Sequence, residues 1–164
     1  MDPQEVVEVF RRNVTEHYFD LKGRVSRKEF WYFILACFVV YLGAAVVDAV
    51  IHLGLLTAVA GLALLLPTAG IGARRLQDIG RNGSLVWLWV VLGGLIQVIA
   101  LLTALSGPFG AVAFLSFYFT IGWLINLAAL VVAVVLIYFW CQPGVKGANE
   151  YGPDPLGTTT PAPA

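Results

Sequence analysis

From Asn82 to Gly144 the chain carries no charged residue, and between Phe30 and Ala73 it carries one, Asp48. Apolar runs of about 18 residues or more are read as membrane-crossing helices, since a rise of about 1.5 Å per residue demands roughly 20 residues to span the hydrocarbon. Charged residues make up 12% of the 164 residues and apolar types 59%, against about 25% charged in an ordinary soluble domain. The expected class is an all-α membrane protein, a bundle of four transmembrane helices with a short N-terminal amphipathic helix.

The chain divides by composition into a polar segment at 1–25, a membrane domain at 26–142 and a Gly/Pro-rich tail at 143–164. In the first segment Val6, Phe10 and Val14 recur at four-residue spacing, which fits a short amphipathic helix lying at the membrane surface or against the protein, the alternative being a frayed cytoplasmic leader. Its acidic, polar start and the length of the first apolar run argue against a cleaved signal peptide. Ser26-Arg27-Lys28-Glu29 has the form of a capping box and opens the first span, about 27–52, with Trp31 and Tyr32 at headgroup level.

His52-Leu53-Gly54 reads as a turn into a second span, about 55–73, in which Pro67, Gly70 and Gly72 permit a kink or a close neighbour. That helix is expected to run on through Arg74-Arg75-Leu76-Gln77-Asp78, with Arg74 and Arg75 both placed to pair with Asp78. Gly80 can end it, Asn82-Gly83 can turn, and Ser84 can cap the next helix. The third span is about 85–105, and Ser106-Gly107-Pro108-Phe109-Gly110 reads as a tight turn. The last stretch, 111–140, is longer than a bilayer requires. It is either one tilted helix or an interfacial piece followed by a span. The tail is expected to be extended or disordered at its end.

With four spans, every Lys and Arg falls on one side: Arg11, Arg12, Lys22, Arg24, Arg27 and Lys28 before the first, Arg74, Arg75 and Arg81 after the second, and Lys146 after the fourth. The positive-inside rule makes that side cytoplasmic and places both termini there.

Three blocks, GRVSRKEFW, RRLQDIGRNG and GVKGANEYGPDP, stand in this order before the first span, after the second and after the last. In these motifs the chain, over about residues 18–155, resembles the bacterial inner-membrane family called domain of unknown function 805. The resemblance implies a compact helical bundle in the bacterial cytoplasmic membrane and supplies no reaction. It also implies a histidine where Gln77 stands, so any role of an imidazole there does not carry over.

Read physically, the blocks bring Arg24, Arg27, Arg74, Arg75 and Arg81 to the same membrane face as Glu29, Asp78, Glu150 and Asp154. The plainer reading is an ion-paired plate that fixes how the helices meet, for which the forked guanidinium is suited. The functional reading is an anion site for lipid headgroups, a phosphorylated ligand or an acidic partner. Within the spans, Asp48 and His52, four residues apart, form a candidate intramembrane polar site with Gln97 and Asn126. The alternatives are a hydrated helix end for the first pair and interhelical hydrogen bonds for the amides. Cys37 and Cys141 are expected as free buried thiols. No catalytic motif, metal-ligand spacing or cofactor fingerprint is present, so no enzyme, metal or cofactor is expected.

The leading functional expectation is a non-enzymatic interaction or scaffold protein of the inner-membrane envelope. Its partners would be the lipid bilayer, with anionic headgroups at the cytoplasmic face, and a membrane protein or a second copy, and not nucleic acid. A small oligomeric transporter or channel using Asp48 and His52 is the alternative, and an anionic-lipid-binding protein the third.

Overall fold

The computed structural model describes residues 2–52 and 54–157, the side chains of Pro108, Ala111 and Phe114 excepted. Leu53 of the expected turn, the tail end at 158–164 and the Phe114 side chain therefore lie outside the described residues. Among the described residues there is no strand, only helices: α1 (Pro3–Thr15), α2 (Arg27–Ile51), α3 (Leu55–Asp78), α4 (Val86–Leu105), α5 (Gly107–Phe117) and α6 (Trp123–Cys141). Four stretches are long and apolar enough to cross a membrane: Arg27–Ile51, Leu55–Asp78, Gly83–Leu105 and Leu115–Cys141. The chain is an all-α, multi-pass membrane protein with a short N-terminal helix.

The 111–140 ambiguity resolves into one helical run. α5 passes through a π-helical turn at Tyr118–Gly122 into α6 without a break. The expected turn before it is tighter than its five residues suggested. Ser106 ends α4, Gly107 takes φ 59°, and helix resumes at Gly107 itself. Pro108 suits that first turn, because its missing N–H would have no partner there anyway.

The α2–α3 hairpin is closed by a side chain. His52 adopts φ 55° and Gly54 φ 69°, so the chain reverses through left-handed residues. Gly54 offers α3 no side-chain cap. Asp48 supplies it from the preceding helix, accepting from the Leu56 and Thr57 amides (3.1 and 2.6 Å) and the Thr57 hydroxyl (2.6 Å).

Pro67 sits inside α3, where its missing N–H frees the carbonyl four residues back. That carbonyl belongs to Ala63, and the Tyr18 hydroxyl donates to it at 2.8 Å. The segment between α1 and α2 is thus pinned along α3, and Gly70 lets it lie close: a Cβ there would stand 3.1 Å from the Asp20 carbonyl.

Packing is uneven along the bundle. The buried apolar side chains gather at the end where the basic residues lie: Phe30, Phe33, Ile71, Leu76, Val86, Leu136 and Trp140. Phe30 packs on Trp140 with ring centroids 4.8 Å apart, Phe10 of α1 stacks on Phe33 at 5.8 Å, and Trp140 donates to the Gly72 carbonyl at 3.1 Å. Toward the opposite end the large apolar side chains, Val50, Leu105 and Phe109 among them, face outward. A solvated protein would not tolerate so large an apolar surface, and lipid covers it at no cost.

Candidate functional site

The last turns of α3 form the hub of the basic end. Ala69 to Asp78 is buried on every side, a run that includes Arg74, Arg75, Gln77 and Asp78. Buried charge is tolerated only when paired and fully hydrogen-bonded.

Asp78 is held by two guanidinium groups. Arg24 Nε donates to Asp78 Oδ1 at 3.0 Å and Arg75 Nη1 to Asp78 Oδ2, with all three side chains no more than 4% exposed. The remaining donors go to backbone. Arg24 reaches the carbonyls of Val145 (2.5 Å), Gly147 (2.5 Å) and Gly152 (3.3 Å). Arg75 reaches those of Trp140 (3.1 Å), Val25 (3.4 Å) and Gln142. One carboxylate and two arginines therefore tie together the segment before α2, the end of α3 and the chain after α6.

The tail folds back on this hub. The Val145 amide donates to the Asp78 carbonyl (2.8 Å), and Asn149 Nδ2 donates to the Gln77 carbonyl (2.9 Å). Asp154 accepts from the amides of Gly147 (3.0 Å) and Leu156 (2.9 Å). Gly144 is required at the contact, since a Cβ would overlap Asp78 Oδ2. The tail is folded to residue 157, and its end, expected to be extended or disordered, lies outside the described residues.

Several expected pairings are corrected. Arg74 turns away from Asp78 and donates to Asn13 Oδ1 (2.6 Å), whose own amide caps back onto the Val9 carbonyl (2.8 Å). On a helix, residues three and four before Asp78 cannot both take the face that α6 occupies, and Arg75 holds it. Glu29 pairs with Arg12 of α1. The capping box is consequently half formed: Ser26 Oγ accepts from the Glu29 amide at 3.3 Å, while the Glu29 carboxylate is engaged elsewhere. Arg81 makes no ion pair among the described residues and lies over the Phe139 ring, 4.7 Å from its centroid. Asn82, not Ser84, caps the turn before α4, accepting from the Ser84 amide at 2.9 Å.

Gln77 donates to the Leu21 carbonyl at 2.8 Å, while its Oε1 is buried with no partner among the described residues. Outside the spans, a hydrogen bond from Arg11 holds the Glu8 carboxyl below its ordinary value, and one to Glu150 raises the Tyr151 phenol.

A cavity of about 390 Å³ opens beside the hub, bounded by Ser26, Arg27 and Lys28 at the start of α2, by Arg75 and Asp78, and by tail residues 143–146 and 154–156. Its wall holds four cations, Arg27, Lys28, Arg75 and Lys146, and two carboxylates, Asp78 and Asp154. Lys28 pairs with Glu5 (2.7 Å) and Arg75 with Asp78. Arg27 and Lys146 make no ion pair among the described residues, and Arg27 reaches only the Cys141 carbonyl at 3.4 Å. The wall thus carries four cations against two carboxylates.

The intramembrane candidates are not brought together. Asp48 is spent on the start of α3, with no bond to His52 among the described residues. Gln97 stands against Gly61 of α3, and Asn126 donates to its own helix at the Gly122 carbonyl (2.9 Å). Asn13, Tyr18 and Asn149 carry structure that sequence reasoning passed over. Only Asn13 left a trace, as a polar residue one turn after Val9 on an otherwise apolar face.

Three relatives share nearly the whole chain. It is 30% identical over 148 residues to the inner membrane protein YhaH of Escherichia coli (strain K12), covering 87% of this chain and 92% of that one. It is 30% identical over 145 residues to the inner membrane protein YhaI of the same strain, with the same coverage. Against the uncharacterized protein YiiR, also of that strain, identity is 28% over 151 residues, with 86% of this chain and 89% of the other covered. No solved structure matches. The family described as protein of unknown function (DUF805) matches residues 18–153, a range that holds the whole Arg24–Arg75–Asp78 hub and most of the folded tail, and the chain belongs to that family.

Proposed function

We propose that this chain is a non-enzymatic interaction protein of the bacterial inner membrane, with both termini in the cytoplasm, that holds anionic phospholipid headgroups at its basic end. The observation that carries this reading is the cavity beside the hub, whose Arg27 and Lys146 lack ion-pair partners among the described residues. Arg27 begins an apolar membrane helix, so the cavity lies where headgroups lie. A Lys or Arg near an anionic leaflet contributes about 1 kcal/mol of attraction. The names of the relatives support the inner membrane, and the one-sided basic residues support the cytoplasmic orientation.

The transport alternative loses its principal support, because the Asp48 carboxylate is occupied in closing a hairpin. A proton or cation relay would need that group free.

Extraction from the native membrane in a mild polymer, with identification of the lipids and proteins that accompany the chain, tests the proposal. Anionic phospholipid enriched over the bulk membrane, and lost in Arg27→Gln/Lys146→Gln, is the expected result. A lipid composition equal to bulk removes the headgroup assignment. A stoichiometric protein partner in that preparation would keep the interaction reading and change the partner.

A further inference from the structure

Most polar side chains in the spans bond to their own helix. Thr103 donates to the Ile99 carbonyl (2.8 Å), Ser106 to Leu102 (2.6 Å), Ser116 to Val112 (3.1 Å) and Asn126 to Gly122 (2.9 Å). Two groups on α4 break the pattern. Among the described residues the Trp89 indole N–H is buried with no partner and the Gln97 amide makes no hydrogen bond. Unsatisfied polar groups inside a bilayer cost several kcal/mol each, and interhelical partners normally relieve them.

Both residues line one cavity, onto which the Gln97 amide opens while the Trp89 indole N–H is closed off from it. It measures about 490 Å³, lies between α2, α3 and α4, and its wall includes Cys37, Tyr41 and Thr68 as well as Trp89 and Gln97. Gly61 makes room for the Gln97 amide at its wall, since a Cβ on Gly61 would collide with that amide. No charged residue lines it, and the rest of the wall is apolar. A cavity of about 300–1,000 Å³ with apolar walls and a few convergent polar groups is the usual form of a small-molecule site.

We propose that this cavity binds an uncharged amphiphile drawn from the bilayer, an apolar chain whose hydroxyl or carbonyl group takes up the Gln97 amide. The absence of charge in the wall selects against the headgroups proposed for the basic end, so the two sites take different classes of lipid. A water-filled cavity would hydrate the same groups without selecting a chain. A second copy of the protein could reach them only by inserting a side chain.

The test uses the full chain in discs of phosphatidylethanolamine and phosphatidylglycerol with a diacylglycerol carrying a photoreactive acyl chain. After illumination, labelled positions are mapped by mass spectrometry. Label should concentrate on cavity residues such as Leu64 and Ile96, and fall by about two- to tenfold in Gln97→Leu, the worth of one hydrogen bond. Gln97→Met should lower it similarly, and serves should the first variant fold poorly. A phosphatidylglycerol probe with the same chain should show no such concentration. The proposal is overturned if label spreads equally over the outward-facing Val91, Val98 and Leu102, or if both variants leave it unchanged. Disulfide-linked dimers formed readily by Gln97→Cys would overturn it in favour of a second copy. Gln97 lies away from the basic end, so loss of diacylglycerol labelling with anionic lipid retained, or the reverse, separates this site from the headgroup site.

Discussion

Replacing Asp78 by Asn removes the one negative charge between Arg24 and Arg75 while keeping the side chain's shape. The carboxylate accepts from Arg24 at 3.0 Å and from Arg75, and the three side chains are no more than 4% exposed. Bonds to a charged partner contribute about 1.5–3 kcal/mol each, and removing one member of a buried pair typically costs about 3–5 kcal/mol because a charge is stranded. Here two guanidinium groups are stranded, but their bonds to backbone carbonyls soften the loss. The expected destabilisation is about 3–5 kcal/mol, read from tryptophan fluorescence during unfolding in mixed detergent micelles. Lys22→Ala, exposed and without an ion pair among the described residues, should change stability by less than about 0.5 kcal/mol. Arg24→Ala combined with Asp78→Asn should cost about 0.5–3 kcal/mol less than the sum of the single changes. A loss below about 1 kcal/mol for Asp78→Asn would refute the reasoning, for it would mean that water already screens the carboxylate.

Gly144→Ala should destabilise by about 1–3 kcal/mol, the usual cost of overpacking, and expose residues 143–157 to protease before the helices unfold. Asp48→Ala should lower stability by about 0.5–2 kcal/mol through loss of the α3 cap, and ion flux into proteoliposomes should be the same for both proteins. Tyr18→Phe should cost about 1–3 kcal/mol in the natural background and clearly less beside Pro67→Ala, where a restored N–H takes the Ala63 carbonyl; equal costs in the two backgrounds would disprove the pairing. Glu8 is held below its ordinary value of 4.5, so its contribution to α1 is present above that value and lost as pH falls through the lowered one. Protection of the α1 amides, taken relative to the intrinsic exchange rate at each pH, should fall in acid, and Arg11→Gln should abolish that fall.

The four helices were legible because lipid exposure needs no partner: a run such as Leu85 to Leu105 declares itself by composition alone. The left-handed Gly80 and the Ser26 cap were legible for a similar reason, since each acts within a few residues of chain. The hub was legible only as a set of residues. Whether Arg74 or Arg75 takes Asp78 depends on where α6 and α1 lie, and nothing in RRLQD encodes that. Arg81 found an aromatic ring because α6 ends beside it. That the first part of the tail folds was not legible in its Gly and Pro content, because Arg24 and Asn149 offer its backbone and α3 the bonds that composition cannot show. Tyr18 is the sharpest case. A proline in a span signals a freed carbonyl, but the donor that satisfies it comes from 45 residues away.

The claim that the basic end holds anionic headgroups is tested most directly by native mass spectrometry of the protein in discs of phosphatidylethanolamine with a graded share of phosphatidylglycerol. The account predicts one or more phosphatidylglycerol molecules retained on the natural chain, weakened by salt and lost together in Arg27→Gln/Lys146→Gln, with the fold intact by fluorescence. Equal retention of both lipids, or retention of phosphatidylglycerol indifferent to that double change, would contradict it.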